Sequence, residues 1–223
     1  MKYLPCKELT KVLLPAYTKC CILTTNCSEL KNDVKEGHIP RGFCGAFGGL
    51  ADVQLVLVLA EPGNPNPDGR HGYEMKTPPR RLLECNVVGV FETIKENKAK
   101  RNFHGNIEFI LEQCWPGESL EEKFKRTWIT ESVLCSAAKT CGPIRPIVEQ
   151  ACVEGFLRKQ LALLPNAYVV ALGRKAEKRM EAASLPRHNY ASHPGGREGI
   201  RKRALESWER LGKEFRKHLR KNG

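Results

Sequence analysis

Apolar positions along this chain come in blocks whose period changes from one block to the next. Residues 53–59 (VQLVLVL) form a nearly unbroken run of valine and leucine stopped by Glu61, Pro62 and Gly63, which predicts a strand buried on both faces. From 81 to 97 the apolar residues Leu82, Val87, Val90, Phe91 and Ile94 recur at helical spacing, and a second helix is expected over 106–113. Residues 127–134 (TWITESVL) read as the next strand. After Pro143 and Pro146, the pattern Ile147, Cys152, Phe156, Leu157, Leu161 and Leu164 predicts a long amphipathic helix. A strand at 167–172 (AYVVAL) stops at Gly173, a short basic helix follows, and a brief strand is expected at 188–192. The last helix starts at 197 and aligns Ile200, Ala204, Leu205, Trp208, Leu211, Phe215 and Leu219 on one face, leaving the other basic.

The predicted order is therefore β-α-β-α-β-α-β. Such alternation implies an α/β fold with three layers, α/β/α, around a central, mostly parallel four-stranded sheet, and ligands then bind outside the carboxyl ends of the strands. No internal repeat or interdomain linker interrupts residues 1–223, so a single domain is expected, with a helical and cysteine-rich segment over 1–50 and the basic helix over 197–223. The loop 63–79 is rich in Gly, Pro and Asn, and its place after a buried strand suits a site better than a hinge.

Charge narrows the partners. The chain carries 37 Lys and Arg against 25 Asp and Glu, a formal charge of +12, which favours a polyanion and makes nucleic acid the first expectation. Residues 197–223 hold ten Lys and Arg against four Glu, half of that excess. No apolar run approaches the roughly 20 residues of a membrane span. Lys7, Glu8 and Lys11 interrupt what a secretory signal would keep apolar, so the expected location is cytoplasmic, in a bacterial cytosol or nucleoid, and the expected state is a monomer. Ten cysteines in a reducing compartment point to buried thiols or a metal site rather than to a disulfide framework.

Polar groups that a core would not select stand at three of the four predicted strand ends: Glu61, then Glu131 with Ser132, then His193. A carboxylate and a histidine across one crevice can activate a water and stabilise a developing anion, as hydrolytic loss of a base from a sugar requires. Taken alone, each also reads as an ordinary residue, Glu61 and Glu131 as turn or cap carboxylates and His193 as a loop histidine.

Four stretches taken together resemble the uracil-DNA glycosylase superfamily, and its iron-sulfur branch most closely. VQLVLVLAEPGNP (53–65) is similar to the first motif, a buried strand followed by a Pro-Gly loop. WITESVLC (128–135) resembles the family's third strand, and EQACVEGFLRKQLALLPNAYVVALG (149–173) the helix and strand that follow it. YASHPGGREG (190–199) resembles the second motif, a His-Pro loop that presses into the minor groove. The resemblance implies an enzyme that binds duplex or single-stranded DNA, flips out a damaged base and hydrolyses its N-glycosidic bond to leave an abasic site. It assigns Glu61 to the water, with Ala60 beside it, and His193 to the leaving base. Tyr73 becomes the stacking wall, with Phe43 and Phe47 as competitors. Ser192, Gly195, Gly196 and Arg197 face DNA, Arg197 filling the gap left by the extruded nucleotide. The base is read where the family has Asn and this chain has Glu131. An ionised Glu accepts hydrogen bonds only and would repel a carbonyl. Either Glu131 is protonated, or Ser132 supplies the donor, or the preferred base is not uracil; a relative that binds nucleic acid without excision is the alternative. No lysine stands out in the sequence as an amine nucleophile, so strand cleavage is not expected.

The same resemblance places two ligands of a [4Fe-4S] cluster at Cys135 and Cys152. The remaining ligands would come from Cys20 or Cys21, one of the two only, and Cys27, in place of the branch's Cys-x-x-Cys pair, with Cys44 as an outside candidate. Zinc or buried free thiols are the other readings. Anaerobically purified protein is expected to be brown, with a broad absorbance near ~400 nm and about four irons per chain; colourless, metal-free protein prepared that way removes the cluster and leaves the glycosylase expectation standing.

Overall fold

A computed structural model describes residues 3–18, 28–65, 73–98, 100–140, 142–195 and 201–222. Among these the strands are β1 (Leu30–Lys31), β2 (Cys44–Gly45), β3 (Leu55–Leu59), β4 (Thr127–Glu131), β5 (Ser136–Ala137), β6 (Tyr168–Leu172) and β7 (Asn189–Ala191). The α-helices are α1 (Lys7–Leu13), α2 (Pro79–Glu96), α3 (Phe103–Cys114), α4 (Leu120–Arg126), α5 (Pro146–Cys152), α6 (Arg158–Ala162), α7 (Arg174–Ala182) and α8 (Arg201–Asn222). The fold is mixed α/β.

The main sheet has the order β2-β4-β3-β6-β7. Its four parallel strands are those expected from the sequence, and β3, β4 and β6 are buried along their whole length; β3 and β6 are unbroken apolar runs, whereas β4 also buries Thr127, Thr130 and Glu131. The expected four-stranded sheet needs one correction: β2 adds a fifth strand, antiparallel to β4, with Cys44 opposite Ile129 and Gly45 opposite Trp128. It is two residues long, too short to show a period of two. β1 and β5 form a separate antiparallel pair.

Other boundaries moved for local reasons. The strand expected over 127–134 ends at Glu131, although the amides of Ser132 and Val133 still reach the carbonyls of Leu59 and Ala60. The single long helix expected after Pro146 is α5 and α6 joined by a π-helical turn, Val153–Leu157. The sequence reading missed α4, which starts at Ser119, whose hydroxyl accepts from the Glu122 amide, and which buries only Lys123 and Phe124, too few for a periodic stripe.

One large core holds the main sheet together with Phe43, Phe91, Phe124 and Trp128, and a smaller cluster groups Val133, Ala137, Ile144, Val148 and Cys152. α8 buries Trp208, Leu211 and Phe215 as its spacing predicts. It lies so close to α3 that a Cβ on Gly212 would stand 2.4 Å from the Gln113 carbonyl oxygen. Among the described residues no helix is long and apolar enough to cross a membrane.

Gly45 is the tightest point of the added strand: its φ is +106°, and a Cβ there would meet the Thr127 carbonyl oxygen at 2.1 Å. Gly45→Ala is expected to destabilise the fold by about 2–4 kcal/mol. Gly89→Ala, in α2 with nothing within 4 Å of the new methyl, is expected to gain about 0.5–1 kcal/mol. Urea midpoints of the two variants check both, and equal midpoints would mean that β2 is dispensable.

Candidate active site

Strand order locates the crevice. The chain passes from β3 to β4 on one side and then to β6 on the other, so the loops leaving their carboxyl ends diverge at β3. Glu61 leaves β3 there, Glu131 closes β4, Ser132 follows it, and His193 comes just after β7.

Glu61 is held by two cations from α7. Its Oε1 accepts from the Lys175 ammonium and its Oε2 from Arg179 Nη1 at 2.6 Å, with the carboxylate side chain only 7% exposed. Arg179 is buried and its donors are distributed over the site. Nη1 also reaches the Ala60 carbonyl at 2.7 Å and Ser132 Oγ at 3.1 Å, while Nε donates to Glu149 of α5 at 2.8 Å. Lys175 also donates to the Gly142 carbonyl. A carboxylate oxygen has two lone pairs, so each Glu61 oxygen keeps one for a further donor.

Glu131 sits in the opposite environment. It is buried, and its Oε2 has no hydrogen-bond partner among the described residues. Burial first, and then the neighbouring Glu61 charge, push its pKa well above the ordinary 4.5, with Arg179 and Arg41 opposing. Arg41 is engaged elsewhere, donating to the carbonyls of Gly37 and Gly63 and to Ser136 Oγ. Ser132 is engaged too: its hydroxyl donates to the Ala60 carbonyl at 2.7 Å, so its proton is not directed at a ligand.

His193 Nδ1 accepts from the Gly195 amide at 3.0 Å, which puts the proton of the neutral ring on Nε2. Surrounding protein lowers its pKa from 6.5, against the opposing pull of Glu61. Gly173, at φ +94°, makes room for the ring, since a Cβ there would lie 2.9 Å from His193 Cβ. Phe103 of α3 flanks the imidazole at 5.8 Å between centroids, and Asn106 donates to the Pro194 carbonyl at 2.6 Å. α8 fastens the preceding residue from both sides: the Ser192 amide donates to Ser207 Oγ, and Trp208 Nε1 donates to the Ser192 carbonyl at 2.7 Å.

Ala60 lines the end of β3 with its carbonyl taken by three donors. Tyr73 is half-buried, and its burial raises the pKa of the phenol above the ordinary 10. Its competitors are used in packing: Phe43 is buried in the core, and Phe47 packs on Tyr3, Phe91 and Phe124. Gly195 is exposed. Gly196 and Arg197 lie outside the described residues, as do Cys20, Cys21 and Cys27. Cys135 and Cys152 are buried, Cys152 in the smaller apolar cluster. Among the described residues no three His, Cys, Asp or Glu side chains are grouped to hold a metal.

Sequence reasoning missed Lys175 and Arg179. The available signal was their i,i+4 spacing at the start of a helix leaving a buried strand, which puts two cations on one face. Arg41 and Gly42 had no such signal.

No family model matches the chain, and no curated protein matches it.

The folded protein keeps a proton on Glu131 that the unfolded chain releases above about pH 4.5, so stability falls as pH rises from there towards the folded-state pKa, by at most about 1.4 kcal/mol per pH unit. Glu131→Gln lacks this titration, and its stability relative to the parent is expected to climb between about pH 5 and about pH 8. Urea midpoints that differ by the same amount at both pH values would show that Glu131 does not carry the proton.

Proposed function

We propose that this protein is a monofunctional DNA glycosylase of the uracil-DNA glycosylase type, with the three-layer α/β/α arrangement of that class. It flips a damaged base, uracil first, into the crevice and hydrolyses the N-glycosidic bond. The observation that carries this reading is the placement of three groups at the carboxyl ends of parallel strands of the main sheet: Glu61 just after β3, Glu131 at the end of β4 and His193 just after β7.

In this reading Glu61 orients a water towards the anomeric carbon and offers negative charge to the sugar as it becomes cationic. Its two cations hold it in place. The C–N bond breaks with its electron pair leaving on the base, and His193 Nε2–H donates to the base carbonyl where that charge gathers, an arrangement worth about 3 kcal/mol. The water oxygen bonds to the anomeric carbon, and its proton passes to Glu61 and then to solvent. Tyr73 stacks on the extruded base. A [4Fe-4S] cluster on Cys135, Cys152 and the N-terminal cysteines would brace the fold and take no part in these steps.

DNA binding falls to α8, whose exposed Lys202, Arg203, Arg210, Lys213 and Lys217 form a basic face on the helix that also grips Ser192. One observation favours a second reading, DNA binding without excision: both oxygens of Glu61 are in ion pairs, as in a structural carboxylate.

Oligonucleotides containing uracil, hypoxanthine, xanthine or mispaired cytosine, scored for alkali-labile abasic sites, separate the two. Excision is expected from at least the uracil substrate, and Glu61→Gln is expected to slow single-turnover cleavage about 100-fold or more while DNA affinity changes by only a few-fold. Tight binding with no abasic site from any substrate would establish the second reading.

A further inference from the structure

Glu131 stands where a base-reading side chain is required, and its surroundings define which form of the carboxyl can do the reading. The side chain is 4% exposed and Oε2 has no hydrogen-bond partner among the described residues. Gly42 presses on its other side: at φ +87° it carries no Cβ, and one placed there would lie 2.5 Å from Glu131 Cγ and 2.6 Å from Oε1. The carboxyl therefore has no room to swing towards Gly42. Three charged groups face it: Glu61 beyond β3, Arg179 of α7 and Arg41 ahead of β2. Arg179 is engaged with Glu61, Glu149, Ala60 and Ser132, and Arg41 with Gly37, Gly63 and Ser136. A buried carboxylate with one oxygen unmatched and another carboxylate nearby is an unfavourable species.

We infer that Glu131 recognises the extruded base as a neutral carboxylic acid, pairing its O–H and C=O with a donor and an acceptor that stand side by side on the base edge. This rests on the glycosylase reading above. The acid supplies one donor and one acceptor, the same pair that an amide offers, so a Glu at this position serves where an Asn would. The ligand class follows. Uracil meets the carboxyl with N3–H and O4, and hypoxanthine and xanthine with N1–H and O6. Because the proton can sit on either carboxyl oxygen, the reversed order in cytosine, N3 and the 4-amino group, also fits. Binding is thus broader than excision, because a cytosine anion is a much poorer leaving group than a uracil anion. A base methylated at N3 fails, having lost the donor and gained bulk.

The test uses the full-length protein and oligonucleotides whose 2′-fluoroarabino sugar resists cleavage, carrying uracil, cytosine or N3-methyluracil at one position. Two hydrogen bonds predict about a tenfold preference for uracil and for cytosine over N3-methyluracil. Glu131→Gln, an amide that cannot ionise, is expected to keep at least about a threefold preference, and Glu131→Leu to lose it. Infrared difference spectra at neutral pH are expected to show a protonated-carboxyl C=O band that is missing from Glu131→Gln and shifts with the uracil oligonucleotide only in the parent. Absence of that band, or a preference retained in Glu131→Leu, overturns the inference. With cleavable uracil DNA the two failures separate: discrimination without base release sinks the excision reading alone, and equal release by the parent and Glu131→Leu sinks the inference alone.

Discussion

Arg179 is a guanidinium taken out of water, its side chain 2% exposed, and a buried charge of this kind persists only when opposite charges and acceptors surround it. Its neighbours come from the end of β3, the loop after β4, and α5, so satisfying one side chain requires three separate segments to meet α7 in one arrangement. Glu61 is placed by that requirement. The carboxylate that faces the crevice is also a counter-ion, and its position is inherited from the balance of charge around Arg179.

The same network involves one of two carboxyl groups at the ends of the adjacent strands β3 and β4. Glu61 receives two cations, whereas Glu131, at the end of the adjacent strand, has no hydrogen-bond partner for Oε2 among the described residues. Burial and the Glu61 charge raise the pKa of Glu131 well above the ordinary carboxyl value, so the two acids stand in different environments at the ends of adjacent strands. His193 completes the set as a neutral ring whose protonated nitrogen is chosen by a backbone amide.

α8 is tied to the loop that carries His193. Ser207 and Trp208 on its inner face hold both backbone groups of Ser192, next to His193, while Arg203 and Arg210 are exposed on the same helix. The same helix packs closely on α3 at Gly212, where a Cβ would stand 2.4 Å from the Gln113 carbonyl oxygen.

Long apolar runs made β3 and β6 legible from the sequence, the mixed segment 127–134 read as the strand that became β4, and periodic stripes revealed α2 and α8, because burial on both faces or along one face leaves a pattern within a single segment. Polar residues at the ends of those strands were conspicuous for the same reason, which is how Glu61, Glu131 and His193 stood out. The short strand β2 and helix α4 left too few buried positions to register. What only the tertiary structure decided is everything that depends on partners distant in sequence: the Arg179 and Lys175 grip on Glu61 across 118 and 114 residues, the commitment of the Ser132 proton to Ala60, and the Gly42 approach to Glu131. A carboxyl group has no fixed role in a sequence, because its protonation is set by the charges, donors and water that the fold brings to it or excludes.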